Sequence, residues 1–343
     1  MNKIFLRRGM SLLCAAALSM LLLAGCSTGG DSSQPAESTT GTTATTGPVT
    51  VSDASGAEVT ISSAPQKIVV LPIWEAEMVI DMIGTDRIVG LSSYIDSEAI
   101  TACADKAKAV KNRVSSEAEA ILAQQPDLVL LDTFNDYDGS LAATLKGAGV
   151  TVLTLASPVT FDDIRSRLET VSKAVFAKEA GDKLIAEMNA RLDAVKDKVA
   201  GVSEPMGVMY YEDYYSADGT SAGMLCAYGQ TSPFNAIAEA AGARNVCTAD
   251  NYSAVSKETV VNDWKPGLLV VPSIVYDANG QANDDHGASV IAAIKQDAVL
   301  STLPAVKNDK VIAMTEKYRG STSHYMAYAV EELAKACYPE LYQ

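Results

Sequence analysis

Between Lys67 and Leu155 the chain carries short, nearly unbroken apolar runs at Lys67–Leu71, Ile88–Leu91, Leu128–Leu131 and Val150–Leu155. Runs of this length without polar alternation predict strands covered on both faces, as in a parallel sheet. Between them Glu75–Ile83, Glu117–Gln124 and Gly139–Gly147 repeat apolar residues at helical spacing, so strand and helix alternate as in an α/β lobe. The alternation resumes after Pro205. Strands are expected at Gly207–Tyr211, Leu268–Val271 and Lys310–Met314, and helices at Phe234–Ala241, Ser256–Asp263, Ala288–Gln296 and Ser323–Cys337. Ahead of both regions, Val49–Ile61 alternates on either side of Ser55-Gly56 and predicts a β-hairpin.

Residues 160–202 break the rhythm. Ile164, Leu168, Val171 and Val175 keep helical spacing, as do Leu184, Ile185, Met188, Leu192, Val195 and Val199. Ala177 to Ala200 contains no Pro and one Gly, and as a single helix would run ~36 Å. A helix of that length joins lobes more naturally than it decorates one. The expected architecture is therefore an α/β fold: a first lobe at 49–159, a helical connector at 160–202 and a second lobe at 203–343. The lobes echo each other in sequence. Ser116 to Pro126 leads into Asp127-Leu-Val-Leu-Leu, and Ser256 to Pro266, at the same spacing, leads into Gly267-Leu-Leu-Val-Val. Met82-Ile-Gly84 and Ala240-Ala-Gly242 each read as a helix end closed by glycine.

The first 48 residues do not belong to this pattern. Lys3, Arg7 and Arg8 precede an apolar stretch from Met10 to Ala24, too short for the ~20 residues that span a bilayer. Residues 1–25 thus read as a signal peptide, and Leu23-Ala-Gly-Cys26 matches the bacterial lipoprotein box, which marks Cys26 for cleavage and lipidation. Two acyl chains supply the two membrane signals that stable anchoring needs. Of the 22 residues from Ser27 to Pro48, 17 are Ser, Thr, Gly or Pro. Such a segment cannot offset the entropy of ordering it, and as a flexible coil has a reach of roughly 26 Å. Residues 26–48 are expected to tether a folded part to the outer face of a membrane.

Charge narrows the partners. The whole chain carries −15, and loss of residues 1–25 leaves 24 basic against 42 acidic residues, a charge of −18. Nucleic acid is disfavoured, as is adsorption to an anionic membrane surface. Cys103, Cys226, Cys247 and Cys337 form no CxxC pair. Disulfides and buried free thiols both remain open for an extracytoplasmic protein.

From about Val49 onwards the chain resembles the extracytoplasmic solute-binding proteins of ABC importers for ferric siderophores, haem and cobalamin. The similarity rests on Val51-Ser-Asp-Ala-Ser-Gly-Ala-Glu-Val-Thr-Ile61, Ala64-Pro-Gln-Lys-Ile-Val-Val70, Glu119 followed by Gln125-Pro-Asp-Leu-Val129, Val255-Ser-Lys-Glu258 and Tyr338-Pro-Glu-Leu341. The resemblance implies two Rossmann-like α/β lobes joined by one long helix, the class III type of solute-binding protein. It implies capture of an iron–siderophore or related metal chelate between the lobes and delivery to a permease dimer served by an ATPase, by a monomer without catalysis or cofactor of its own. It also implies that Glu119 and Glu258, one on each lobe, dock onto permease arginines. Each glutamate also has a purely local explanation. Ser116-x-x-Glu119 has the form of a capping box, and Glu258 near a helix start would be favoured by the helix dipole.

In doubly wound sheets ligands sit beyond the carboxyl ends of the strands. The positions after the predicted strands hold Trp74, Tyr94, Phe134, Tyr214, Tyr215, Tyr276 and Tyr318, an aromatic concentration in a chain that is 6% aromatic. These are the expected contacts to a large organic-coated ligand. Arg319 is the expected contact to an anionic ligand group, because its fork suits carboxylate-like oxygens. His324 is a lesser candidate as axial ligand to a chelated metal. Capture of bare zinc or manganese is disfavoured with only His286 and His324 in the chain, and Asn283–His286 reads as a flexible acidic surface loop. A hydrolase on this scaffold would want a nucleophile elbow, and no GxSxG is present. A sensor that signals rather than transports would share every binding residue.

Overall fold

The computed structural model describes residues 47–215, 221–276 and 282–343, with the side chains of all of these but 213–215 and 221–224. Cys26, the leader and residues 26–46 of the tether lie outside the described residues. The fold opens with the antiparallel hairpin of β1 (Val49–Ser52) and β2 (Glu58–Ile61). Its turn is fastened by the Asp53 carboxylate, which accepts from the amides of Ser55 and Ala57 at 2.9 and 3.0 Å.

The first sheet comprises β3 (Ile68–Val70), β4 (Ile88–Leu91), β5 (Leu128–Asp132) and β6 (Thr151–Leu155), all parallel, in the order β4-β3-β5-β6. Along β5, Leu128 and Leu130 face one core and Val129 and Leu131 another. Because side chains alternate across a strand, a sheet buried on both faces needs an unbroken apolar run, which is what the sequence has.

The second sheet contains β7 (Gly207–Tyr215), β8 (Ser221–Tyr228), β9 (Arg244–Asn245), β10 (Tyr252–Ala254), β11 (Leu268–Pro272) and, after the small hairpin of β12 (Ile274–Tyr276) and β13 (Ala282–Asp284), β14 (Val311–Met314). Its parallel part pairs in the order β9-β7-β11-β14, the same order by chain position as in the first sheet. The sequence echoes have structural counterparts. Gln125 and Lys265, each directly before its proline, adopt left-handed φ values of 52° and 46°, and Gly84 and Gly242 both have φ 70°. Proline disfavours a right-handed helical conformation in the residue before it, so both helices end there by reversing hand.

Several expectations are corrected. β7 runs on to Tyr215 and pairs antiparallel with β8, which the search for continuous apolar runs did not find. Ser116 forms no capping box: the helix Ala118–Leu122 starts after Glu117 with no side-chain cap, whereas Ser256 Oγ does accept from the amide of Thr259 at 3.0 Å. The helix expected over Ser256–Asp263 covers Lys257–Thr259 and continues as one wide turn, Val260–Trp264, closed by the Lys265 amide on the Val260 carbonyl. Of the expected loop Asn283–His286, Asn283 and Asp284 belong to strand β13, and Asp285 and His286 form the turn that follows it.

Two helices, Phe161–Ala174 and Lys178–Val199, run between the sheets. They approach closely at Gly181, where a Cβ would lie 2.4 Å from Ser172 Cβ. Arg165 also donates to the Asn189 side chain across them at 2.9 Å. The inner faces of both sheets, Ile68, Leu128 and Leu130 on one and Val208, Leu268 and Val270 on the other, belong to one continuous core. That core passes through Met188 and Val195 of the connector and Val330 and Leu333 of the helix Met326–Cys337.

A polar contact joins the same elements. Glu77 and Asp81, one turn apart on the first-lobe helix Ile73–Ile83, both receive donors from the second-lobe segment Ser323–Tyr325. Glu77 accepts from Ser323 Oγ at 2.5 Å, Thr101 Oγ1 at 2.7 Å and the Ala102 amide at 2.9 Å. Asp81 accepts from Tyr325 OH at 2.7 Å, meets His324 Nε2 at 3.0 Å and pairs with Lys106. Burial alone would raise the Asp81 carboxyl, yet hydrogen bonds from His324, Lys106 and Tyr325 hold it far below the ordinary carboxylate range. A depressed acid stabilises the folded chain above its unfolded pKa, about 3.9, and that contribution is lost as pH falls below it. Asp81→Asn is therefore expected to cost about 2–3 kcal/mol at neutral pH. The difference from the parent should shrink toward pH 3 in urea melts at the two pH values, and a constant difference would count against an ionised Asp81.

Candidate functional site

The loops after β4, β11 and β14 meet across a cleft of about 870 Å³. One wall is Ser93–Ile100, which begins with the short helical turn Ser93–Asp96 after β4. The opposite wall is Tyr276, Ala282, Asn283, Asp284 and Lys317. All of these follow the carboxyl ends of strands, the place where a doubly wound sheet exposes free loop backbone and side chains to a ligand. The volume lies in the range that encloses a ligand of several hundred daltons.

Of the sequence-derived candidates, the cleft brings together Tyr94, 69% exposed, and Tyr276, 47% exposed. Ser92 Oγ accepts from the Tyr94 amide at 3.4 Å, which helps set the turn that presents the ring. Tyr276 is presented by the β12–β13 hairpin, paired with Ala282. Phe134 is 86% exposed on the loop after β5 but is not among the cleft-lining residues. That loop is organised by Asp132, whose Oδ1 accepts from the amides of Phe134 and Asn135 at 3.0 and 2.8 Å. Tyr214 and Tyr215 lie on β7, and their side chains are outside the described residues.

The other candidates are engaged elsewhere. Trp74 is 4% exposed and donates its indole N–H to Asp132 at 3.2 Å, so it packs under the Phe134 loop. Beside it the Glu75 carboxyl is buried without a hydrogen-bond partner; burial, with the nearby Asp132 charge, raises it well above the carboxylate range. Tyr318 stacks on Tyr328 with ring centroids 5.0 Å apart, toward the connector rather than the cleft. Arg319, expected as an open anion contact, is buried: its guanidinium is paired with Glu316 and lies over the rings of Tyr210 and Tyr228 at 4.6 and 5.0 Å. The short segment Glu316–Arg319 is helical, so the two side chains one turn apart close on each other. His324, expected as a lesser metal ligand, is committed to Asp81.

Sequence reasoning missed Asp96, Glu98, Asn283, Asp284 and Lys317 as cleft residues. The signal available was position: Asp96 and Glu98 share the post-strand loop of Tyr94, and Lys317 directly precedes Tyr318. A second cavity, of about 930 Å³, runs along the connector and the helix Met326–Cys337. It lies away from the strand ends, and most of its charged residues are paired with one another, Lys106 with Asp81 and Arg191 with Glu331, while Lys198 donates to the Leu341 carbonyl. Among the described residues no cluster of His, Cys, Asp and Glu could hold a metal ion, and the four cysteines are buried free thiols. No helix among the described residues is long and apolar enough to cross a membrane. Glu119 and Glu258 are both exposed, each in a short helix that leads through a left-handed residue and a proline to a central strand.

Comparison with known proteins agrees with this architecture. A protein of Halobacterium salinarum named as a cobalamin-binding protein is 24% identical over 293 residues, 84% of this chain and 74% of its own length. An uncharacterized ABC transporter substrate-binding lipoprotein of Bacillus subtilis, YvrC, is 23% identical over 341 residues, covering 96% of this chain and 97% of its own. The apo structure of the periplasmic haem-binding protein RhuT from Roseiflexus sp. RS-1 superposes with a TM-score of 0.64 at 21% identity, over 80% of this chain and 99% of that one. The family described as periplasmic binding protein matches residues 68–318, most of the chain, and the protein therefore belongs to the periplasmic binding protein family.

Proposed function

We propose that this protein is the substrate-binding component of an ABC importer, which captures a metal chelate with a large organic shell, an iron–siderophore, haem or cobalamin, and delivers it to a permease. The observation that carries this reading is the cleft of about 870 Å³ at the strand ends, walled by Tyr94 and Tyr276 from opposite sides. Aromatic faces bury large area at low entropic cost and suit the flat or organic surface of a chelate. The B. subtilis relative supports the importer assignment, and the H. salinarum relative supports a corrinoid among the ligands. Cys26 carries the lipid that holds the protein beside its permease, and residues 27–48 are the leash.

Thermal-shift screening of the mature chain against ferric siderophores, haem and cobalamin tests the capture. A ligand at 100 times its dissociation constant adds about 2.7 kcal/mol to stability, and absence of a shift with all of them would sink the assignment. Tyr94→Ala and Tyr276→Ala should each weaken the ligand found by about tenfold while leaving the melting temperature of the free protein within a few degrees.

Glu119 and Glu258 are proposed to dock onto basic residues of the permease. Both are exposed, and no capping role explains Glu119, since Ser116 does not reciprocate. Reversal of either charge, Glu119→Arg or Glu258→Arg, is expected to abolish uptake by cells with less than about a twofold change in ligand affinity. A comparable loss of affinity would place the residue at the ligand instead.

Replacement of Cys26 by Ser should move the protein from the membrane fraction to the soluble extracytoplasmic fraction and lower uptake at limiting ligand. Continued membrane association in that variant would contradict lipidation at this residue.

A further inference from the structure

Resting on the capture reading above, we infer that the cleft selects chelates that are neutral or cationic overall and discriminates against anionic ones. Its described walls contain three carboxylates, Asp96, Glu98 and Asp284, against one cation, Lys317. The cations close behind these walls are committed. Arg113 holds Asp96 through Nε, at 2.9 and 2.8 Å to the two oxygens, and through a second nitrogen at 2.5 Å. Lys108 divides between Glu98 at 3.1 Å and Asp105 at 2.6 Å.

Pairing neutralises the wall carboxylates in part, yet it also removes Arg113 and Lys108 as anion receptors. To meet an anion, Arg113 would first have to release Asp96, and Lys108 would have to release Glu98 or Asp105. An anion entering beside Tyr94 would also face a ring surface of negative potential, which attracts cations and repels anions. The local field thus has the sign of the whole chain, −15, rather than opposing it, and low-dielectric walls concentrate it.

Matched ligand pairs separate charge from shape. The first pair is the ferric complex of a linear trihydroxamate with a free terminal ammonium and the same complex with that amine succinylated to a carboxylate. The second is cyanocobalamin and its monocarboxylic acid, in which one side-chain amide is hydrolysed; haem, with two propionates, is added singly. Titration calorimetry on the mature chain should show the carboxylate member of whichever pair binds to be weaker by about tenfold at low salt, the gap narrowing as salt is raised. Glu98→Lys should narrow it further at fixed salt. Equal or tighter binding of the carboxylate member, or binding of haem alone, overturns the charge selection and leaves chelate capture standing. Failure of every probe to bind removes the capture reading, and the charge selection with it.

Discussion

The structure depends on two carboxylates on one face of one helix. Glu77 and Asp81 belong to the first lobe by sequence, yet their hydrogen bonds run to Ser323, His324 and Tyr325 of the second. A buried carboxylate is costly unless every lone pair is met, so these partners are not interchangeable with water. Any movement of the helix Ile73–Ile83 relative to Ser323–Tyr325 would break these contacts together. The same helix also packs into the core that runs through Met188 and Val195 of the connector to Val330 and Leu333. Polar specificity and apolar area therefore fix the same angle.

The same packing explains which candidate residues the cleft retains. Residues near the spine are drawn into internal contacts: Trp74 onto Asp132, Tyr318 onto Tyr328, His324 onto Asp81 and Arg319 onto Glu316. Residues at the cleft walls, Tyr94 and Tyr276, stay exposed. Arg319 is the clearest case. Its fork suits an anion, and the nearest anion one helical turn away is the protein's own Glu316, prepositioned at no translational cost. A ligand carboxylate would have to displace Glu316 from a guanidinium that lies buried over the rings of Tyr210 and Tyr228.

Much of the fold was legible because its strands are buried on both faces, and such strands leave an unmistakable apolar run. Lys67–Leu71, Ile88–Leu91, Leu128–Leu131 and Val150–Leu155 fall within a residue or two of β3 to β6. The strands that were missed are the outer half of β7 through Glu212 and Asp213, its partner β8, the short β9 and β10, and the β12–β13 hairpin with its Asn283-Asp284. β9 and β10 lie at sheet edges and the hairpin in the cleft wall, where backbone pairing rather than burial specifies the strand and polar residues mimic a loop, while β8 is held between β10 and β7 by antiparallel pairing. The site was half legible for a related reason. Position after a strand can be read from sequence, but the direction a side chain takes depends on partners distant in the chain, as 58 residues separate Trp74 from Asp132 and 243 separate His324 from Asp81.

A stiff spine has a further consequence for how such a receptor works. Glu119 and Glu258 stand at matching points of two lobes that share one strand order, so near-twofold similarity of the lobes gives them similar local settings. A permease built from two like halves would then meet two like contacts, provided their separation is constant. If the lobes swung freely, binding at one glutamate would not position the other, and the second contact would gain nothing from the first. With the two sheets held by Glu77, Asp81 and the common core, two such contacts would act together. Each could then be individually weak under the docking proposed above. The contacts that hold the two sheets together are thus also what would make docking at the two glutamates bivalent.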